Sequence, residues 1–151
     1  LIDSSGQDAK RTKDVLGHFR QAVTSVESPH YAYCAKVLGT TVACFLVSKD
    51  VNLEYYTSHF HIQDQLLMPE HDRRGHGRLV FCMINPIFEK STRFLLKEVV
   101  RLSGKTCIYF EITDRTVIPP VFHELVHIRS RRFPHFLDRK WDHERAETNQ
   151  Q

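Results

Sequence analysis

An apolar run, RLVFCMI, leads into NPIFEKSTRFLLKEVVRLSG and then into KTCIYFEI, and this succession constrains the fold more than any other part of the chain. The first run is apolar at both alternating positions, as a strand covered on two faces would be. Asn85 followed by Pro86 is a strong helix start: the asparagine side chain accepts from a first-turn amide, and proline lacks the N–H that would be orphaned there. Phe88, Leu95, Val99 and Leu102 then recur at helical spacing as a buried stripe, with Lys90, Arg93, Lys97 and Arg101 outside it. The helix is predicted to run to Ser103, with Gly104 in the left-handed position that closes it. Strand, helix and strand within about 35 residues make a βαβ crossover, with parallel neighbouring strands and a right-handed connection.

Upstream, residues 8–26 place Leu16, Phe19, Val23 and Val26 three to four apart, with Lys10, Lys13 and Arg20 on other faces, which predicts an amphipathic helix. YAYCAKVL and TVACFLVS flank Gly39-Thr40, where a glycine at the first central position suits a type II′ hairpin. Residues 51–78 are irregular: one short helix within VNLEYYTSHF, then a long polar loop. The predicted order is helix, hairpin, irregular excursion, strand, long helix, strand, short helix and basic tail.

A chain of 151 residues, 41% of them hydrophobic, accommodates one domain with a real core. That domain is expected to span 1–133, with a basic tail over 134–151. The chain opens on Leu1 and not on Met, as a segment of something longer would. Its longest apolar run, LVFCMI, falls far short of the roughly 18 residues of a membrane span, and no secretory leader opens it; a cytoplasmic setting without a membrane partner is expected. Four cysteines, Cys34, Cys44, Cys82 and Cys107, sit in apolar runs without a C-x-x-C pair, so buried free thiols are expected in preference to disulfides or zinc ligands.

The order of elements resembles the GNAT acetyltransferase fold, which implies an α/β architecture, a mixed sheet with flanking helices. In that fold a glycine-rich loop of the type Q/R-x-x-G-x-G/A joins strand to long helix and holds the acetyl-CoA pyrophosphate, with backbone amides at the helix N-terminus. Here the matching letters, RRGHGR, precede the strand. The strand-to-helix junction is NPIFEKSTRFLL, which has no glycine and carries Glu89 where an anion would approach. RRGHGR is therefore expected to be a solvated turn, the phosphate loop degenerate, the protein not an enzyme, and no cofactor bound. The alternative is a GNAT-type N-acetyltransferase.

VACFLVSKDVNLEYYTSHFHIQD, HGRLVFCMINPIFEKSTRFLLKEVVRLSGKTCIYF and HELVHIRSRR together resemble the GNAT-like middle region of the cilia- and flagella-associated protein 61 family, over roughly residues 35–133. The resemblance implies a scaffold in the axoneme of motile cilia and flagella. Its implied partners are the other subunits of the calmodulin- and spoke-associated complex and radial spoke proteins, with calmodulin itself a further candidate.

Other chemistries compete, a zinc metallopeptidase first among them. HELVH at residues 123–127 reads H-E-x-x-H, in which His123 and His127 would bind zinc with Glu124 as base and Glu147 as third ligand. Pro119-Pro120 leaves room for only a short helix before it, IRSRR beside it repels cations, and a chain with 10 His meets such a motif readily, so no metal is expected. His59, His61, His71 and His76 fit no tetrahedral set and are expected to be exposed loop histidines. Tyr109 and Glu111 share a strand face where an acetyltransferase would hold an acid or base, but packing and an edge position account for them equally well. The basic stretch from Arg129 onward is the candidate protein-interaction surface: Arg129, Arg131 and Arg132, followed by Phe133 and Trp141. Three arginines after a short helix are expected to project from a firm part of the domain. Acidic residues interrupt the stretch, so nucleic acid is not expected to bind it.

Overall fold

The structure, a computed structural model, describes residues 4–112 and 120–131. The chain divides into two compact units, one of residues 1–51 and 71–110, the other of residues 52–70 and 111–151. The tail over 134–151 lies outside the described residues. In chain order the elements are α1 (Ser4–Thr24), β1 (His30–Val37), β2 (Thr40–Ser48), α2 (Leu53–His59), β3 (His76–Ile84), α3 (Thr92–Ser103) and β4 (Cys107–Tyr109), with 3-10 turns between several of them. All but α2 belong to the first unit. No helix among the described residues is long and apolar enough to cross a membrane.

The first unit is a mixed four-stranded sheet in the order β1-β2-β3-β4. β1 and β2, and β2 and β3, pair antiparallel, whereas β3 and β4 are parallel, with His76 opposite Cys107 and Arg78 opposite Tyr109. The expected crossover from β3 through α3 to a parallel β4 is present, although β4 ends at Tyr109. β2 carries the core: Val42, Ala43, Phe45, Leu46 and Val47 are buried in near-continuous succession, as an inner strand covered on both faces requires. Leu79 and Val99 complete that core.

The hairpin turn lies one residue earlier than expected. Its central pair is Leu38-Gly39, both at positive φ (49° and 81°), the signature of a type I′ turn and not of type II′. That register, with an irregularity between Ala35 and Lys36, sets Cys34 directly opposite Cys44.

α1 packs on a face one residue away from the predicted stripe. Leu16, Val23 and Val26 are exposed, while Val15, His18, Phe19 and Ala22 are half-buried. Two aromatic contacts set this rotation: His18 stacks on His30 with ring centroids 4.6 Å apart, and Phe19 meets Phe81 edge-on at 6.0 Å. Val26 lies beyond the helix end at Thr24. In α3 the buried residues are Thr92, Val99 and Ser103, and Leu102 is exposed. Gly104, at φ 64°, ends α3 in the left-handed conformation, as its position predicts.

In the second unit, Asn52 caps α2 by accepting from the Tyr55 amide at 3.0 Å. Tyr56, Ile62 and Phe122 are its buried hydrophobic residues among those described.

Candidate functional site

At the junction between β3 and α3, the Asn85 side chain accepts the Ile87 amide at 3.1 Å, and the Asn85 carbonyl accepts the Phe88 amide at 2.8 Å. Pro86 has no amide to offer. The segment Pro86–Ser91 winds as a 3-10 turn, so the α-helix proper starts at Thr92 and not at Pro86. Thr92 closes the turn, its hydroxyl donating to the Glu89 carbonyl at 2.6 Å and its amide to the same oxygen. A 3-10 turn satisfies its amides internally at three-residue spacing, so the donors an anion would need are engaged by the chain itself. Ile87, Glu89 and Lys90 are exposed there.

RRGHGR is only half a solvated turn. Arg73 and Arg74 are exposed, but Gly75, His76 and Gly77 are buried, and the last two begin β3. The glycines are needed for space: a β-carbon on Gly75 would stand 2.6 Å from Thr106 Oγ1, and one on Gly77 would stand 3.2 Å from Lys105 Cγ. His76 is 1% exposed, contrary to its expected place among exposed histidines. Its Nδ1 lies 2.8 Å from the Tyr109 hydroxyl, and the two rings stack; His76 Nε2 has no partner among the described residues. Burial lowers the His76 pKa, with the charges of His71 and Lys105 adding to the effect and Asp72 opposing it. Burial also pushes the Tyr109 phenol up to about 12. Both shifts favour the uncharged forms, a neutral imidazole stacked on a neutral phenol. His71 lies 3.0 Å from the Thr106 hydroxyl, His59 Nδ1 lies 2.9 Å from the Tyr55 carbonyl, and His61 faces Asp64 at 3.6 Å.

Lys105 has no counterpart in the sequence reading. It is buried, with Nζ donating to the Lys49 carbonyl at 3.0 Å and the Arg74 carbonyl at 2.8 Å. Desolvation lowers its pKa, Lys49 adds to that and Asp50 opposes it. It ties the end of β2 to the entry of β3, and only the unusual junction KTC after Gly104 marks it in the sequence.

In the second unit, HELVH does not form a helical face. A 3-10 turn covers Pro120–Glu124 and closes with the Leu125 amide on the Phe122 carbonyl at 3.0 Å. It stops before His127, so His123 and His127 are not stacked one α-turn apart as the zinc signature needs. Glu147 lies outside the described residues. Glu111 accepts a short hydrogen bond from the Tyr56 hydroxyl, so it is tied to α2.

The chain from Arg129 to Arg131 runs antiparallel to the end of α2. Phe60 bridges to Ser130, the His61 amide donates to the Arg129 carbonyl at 2.9 Å, and the Arg131 amide donates to the His59 carbonyl at 2.7 Å. The Arg131 guanidinium does not project freely. Its Nε donates to the Thr57 and Phe60 carbonyls at 3.1 and 3.2 Å, and its Nη2 donates to Gln63 Oε1. A cation on these last carbonyls complements the negative end of α2. Arg129 is exposed, and nothing among the described residues pairs with its guanidinium. Arg132, Phe133 and Trp141 lie outside the described residues.

Three of the four cysteines, Cys44, Cys82 and Cys107, are half-buried and Cys34 is exposed; all four are free thiols. The expectation of burial fails most clearly at Cys34, which lies on the edge strand β1.

No protein-family model matches the chain. Among curated proteins it is similar to cilia- and flagella-associated protein 61 of Tetrahymena thermophila, at 47% identity over 124 residues, which is 82% of this chain and 7% of that protein. The chain spans a small part of the length of the curated relative it matches.

Proposed function

Because this chain belongs to the cilia- and flagella-associated protein 61 family, we propose that it is a non-catalytic, GNAT-like structural module through which a protein of the cilium and flagellum axoneme joins its neighbours. Three antiparallel strands followed by a helix and a parallel fourth strand support the GNAT-like reading. The observation that carries the non-catalytic reading is the self-capped junction of β3 and α3, where Asn85, Pro86 and Thr92 engage or remove the amides that a pyrophosphate would need. The implied partners are subunits of the calmodulin- and spoke-associated complex and radial spoke proteins, with calmodulin a further candidate. Of the two described arginines of IRSRR, Arg129 is the one disposed to meet an acidic partner, since its side chain is exposed and Arg131 is held locally.

Thermal unfolding with acetyl-CoA or CoA in large excess tests the non-catalytic reading: no change in midpoint is expected, and a rise of several degrees overturns it, because a bound ligand stabilises the folded state by mass action. Full-length protein carrying Arg129→Glu, expressed at wild-type level, tests the docking reading. Loss of its incorporation at the spoke base is expected, and normal assembly removes Arg129 from the interface.

A further inference from the structure

The pairing of β1 with β2 puts two thiols side by side on one sheet face. Cys34 and Cys44 are direct partners in the register, and their sulfurs are 3.6 Å apart. Cys44 is in turn opposite Met83 on β3, so the three sulfur residues form one row across the sheet. α1 covers the other end of this face, over His30 and Phe81. The sulfur row lies toward the hairpin tip, where Cys34 and Met83 are exposed. The other two cysteines are not so placed. Cys82 faces away from the row, on alternating grounds, and Cys107 lies beside His71 at 3.7 Å.

We propose that Cys34 and Cys44 form a redox modification site, a vicinal dithiol that a peroxide converts to a cross-strand disulfide. Cys34 is the sulfur a peroxide reaches. Its thiolate attacks one peroxide oxygen, the O–O bond breaks, the departing hydroxide takes a proton to become water, and Cys34 is left as a sulfenic acid. Cys44 then attacks the Cys34 sulfur, losing its proton as the sulfenic hydroxyl leaves as a second water. Two thiols lose two electrons and one hydrogen peroxide gains them. The roles follow from the surroundings: burial, then the contact with Cys34, pushes the Cys44 thiol up to about 11, which suits it to the second, proximity-driven step. Directly opposed strand residues hold their β-carbons at about 4.5–5.5 Å, wider than the mean of about 3.8 Å in disulfides. The hairpin must tighten to close the bond, so a dithiol reductant should reopen it easily.

The sequence supplies a direct readout, because Lys36 lies between the two cysteines. Trypsin separates a peptide of residues 21–36 from one of residues 37–49, and only a disulfide holds them together. The 151-residue chain would be treated with one equivalent of hydrogen peroxide, alkylated and digested without reductant. The expected result is the linked peptide pair, a fall from four alkylatable thiols to two, and full recovery of four with dithiothreitol. Cys34→Ser should abolish the linked pair while leaving Cys82 and Cys107 alkylatable. Oxidation of Cys34 to the sulfinic acid with Cys44 still alkylatable overturns the proposal, as does a linkage that falls on Cys82, on Cys107 or between two chains.

Discussion

Gly75 and Thr106 are held against each other: the Thr106 amide donates to the Gly75 carbonyl at 2.7 Å, and the Thr106 hydroxyl occupies the space a β-carbon of Gly75 would need. The threonine hydroxyl also lies 3.0 Å from His71 Nδ1, so it cannot swing aside without losing a partner. Gly75→Ala is expected to destabilise the chain by about 1–3 kcal/mol, the usual cost of overpacking. Adding Thr106→Ala should restore much of that loss, as urea unfolding of the two variants will show.

Arg131 and Arg129 should separate cleanly in the same assay. Arg131→Ala removes a cation and three donated hydrogen bonds from the end of α2 and is expected to cost about 1 kcal/mol, discounted for exposure. Arg129→Ala should stay within about 0.5 kcal/mol of the parent. Equal losses from both would contradict the placement of Arg131 on the Thr57 and Phe60 carbonyls.

Leu38 sits fully exposed at positive φ in the hairpin turn, where a branched side chain is disfavoured and asparagine is tolerated. Leu38→Asn, which makes the turn Asn-Gly, is expected to raise stability by about 0.5–1 kcal/mol. A higher midpoint in thermal melting is the check, and an unchanged or lower one would argue against the turn described.

Stability should fall on mild acidification. His30 titrates below its ordinary value of 6.5, chiefly through burial, then through the charges of His18, Arg78 and Lys49, with Asp50 opposing. His76 is lowered in the same direction, again chiefly through burial. Below about 6.5 the unfolded chain binds protons that these two rings refuse when folded, so stability is greatest above that value and declines as pH falls toward the folded-state pKa values. Urea midpoints at pH 7.5 and 5.5 measure the slope. His30→Gln should flatten it, and an undiminished slope in that variant would assign the effect elsewhere.

The elements that read clearly in the sequence are those whose signals are local. The apolar RLVFCMI run and Gly104 declare a strand and a helix end, Asn85-Pro86 declares the capped turn that leads into the helix, although α3 itself starts only at Thr92, and the crossover to a parallel β4 follows from them. What stayed hidden depends on register and rotation. Placing the turn at Gly39-Thr40 sets Cys34 opposite Phe45, and the one-residue shift to Leu38-Gly39, with the irregularity after Ala35, brings the two thiols together. The rotation of α1 is decided by His18 on His30 and Phe19 on Phe81, partners that no helical periodicity names. The arginines of IRSRR look alike in sequence, and only the meeting of Ser130 with Phe60 makes Arg131 a cap and leaves Arg129 outside.

The second unit closes late. Arg131 meets the Phe60 carbonyl across 71 residues of chain, a span that contains β3, α3 and β4. During synthesis from the N-terminus, α2 leaves the ribosome long before the residues that cap and bridge it, whereas every strand of the first unit has emerged by Tyr109. Closing so long a loop is also entropically slow. The sheet is therefore the part that can fold while translation continues, and the end of α2 stays uncapped, exposed to chaperones and proteases, until the arginines arrive.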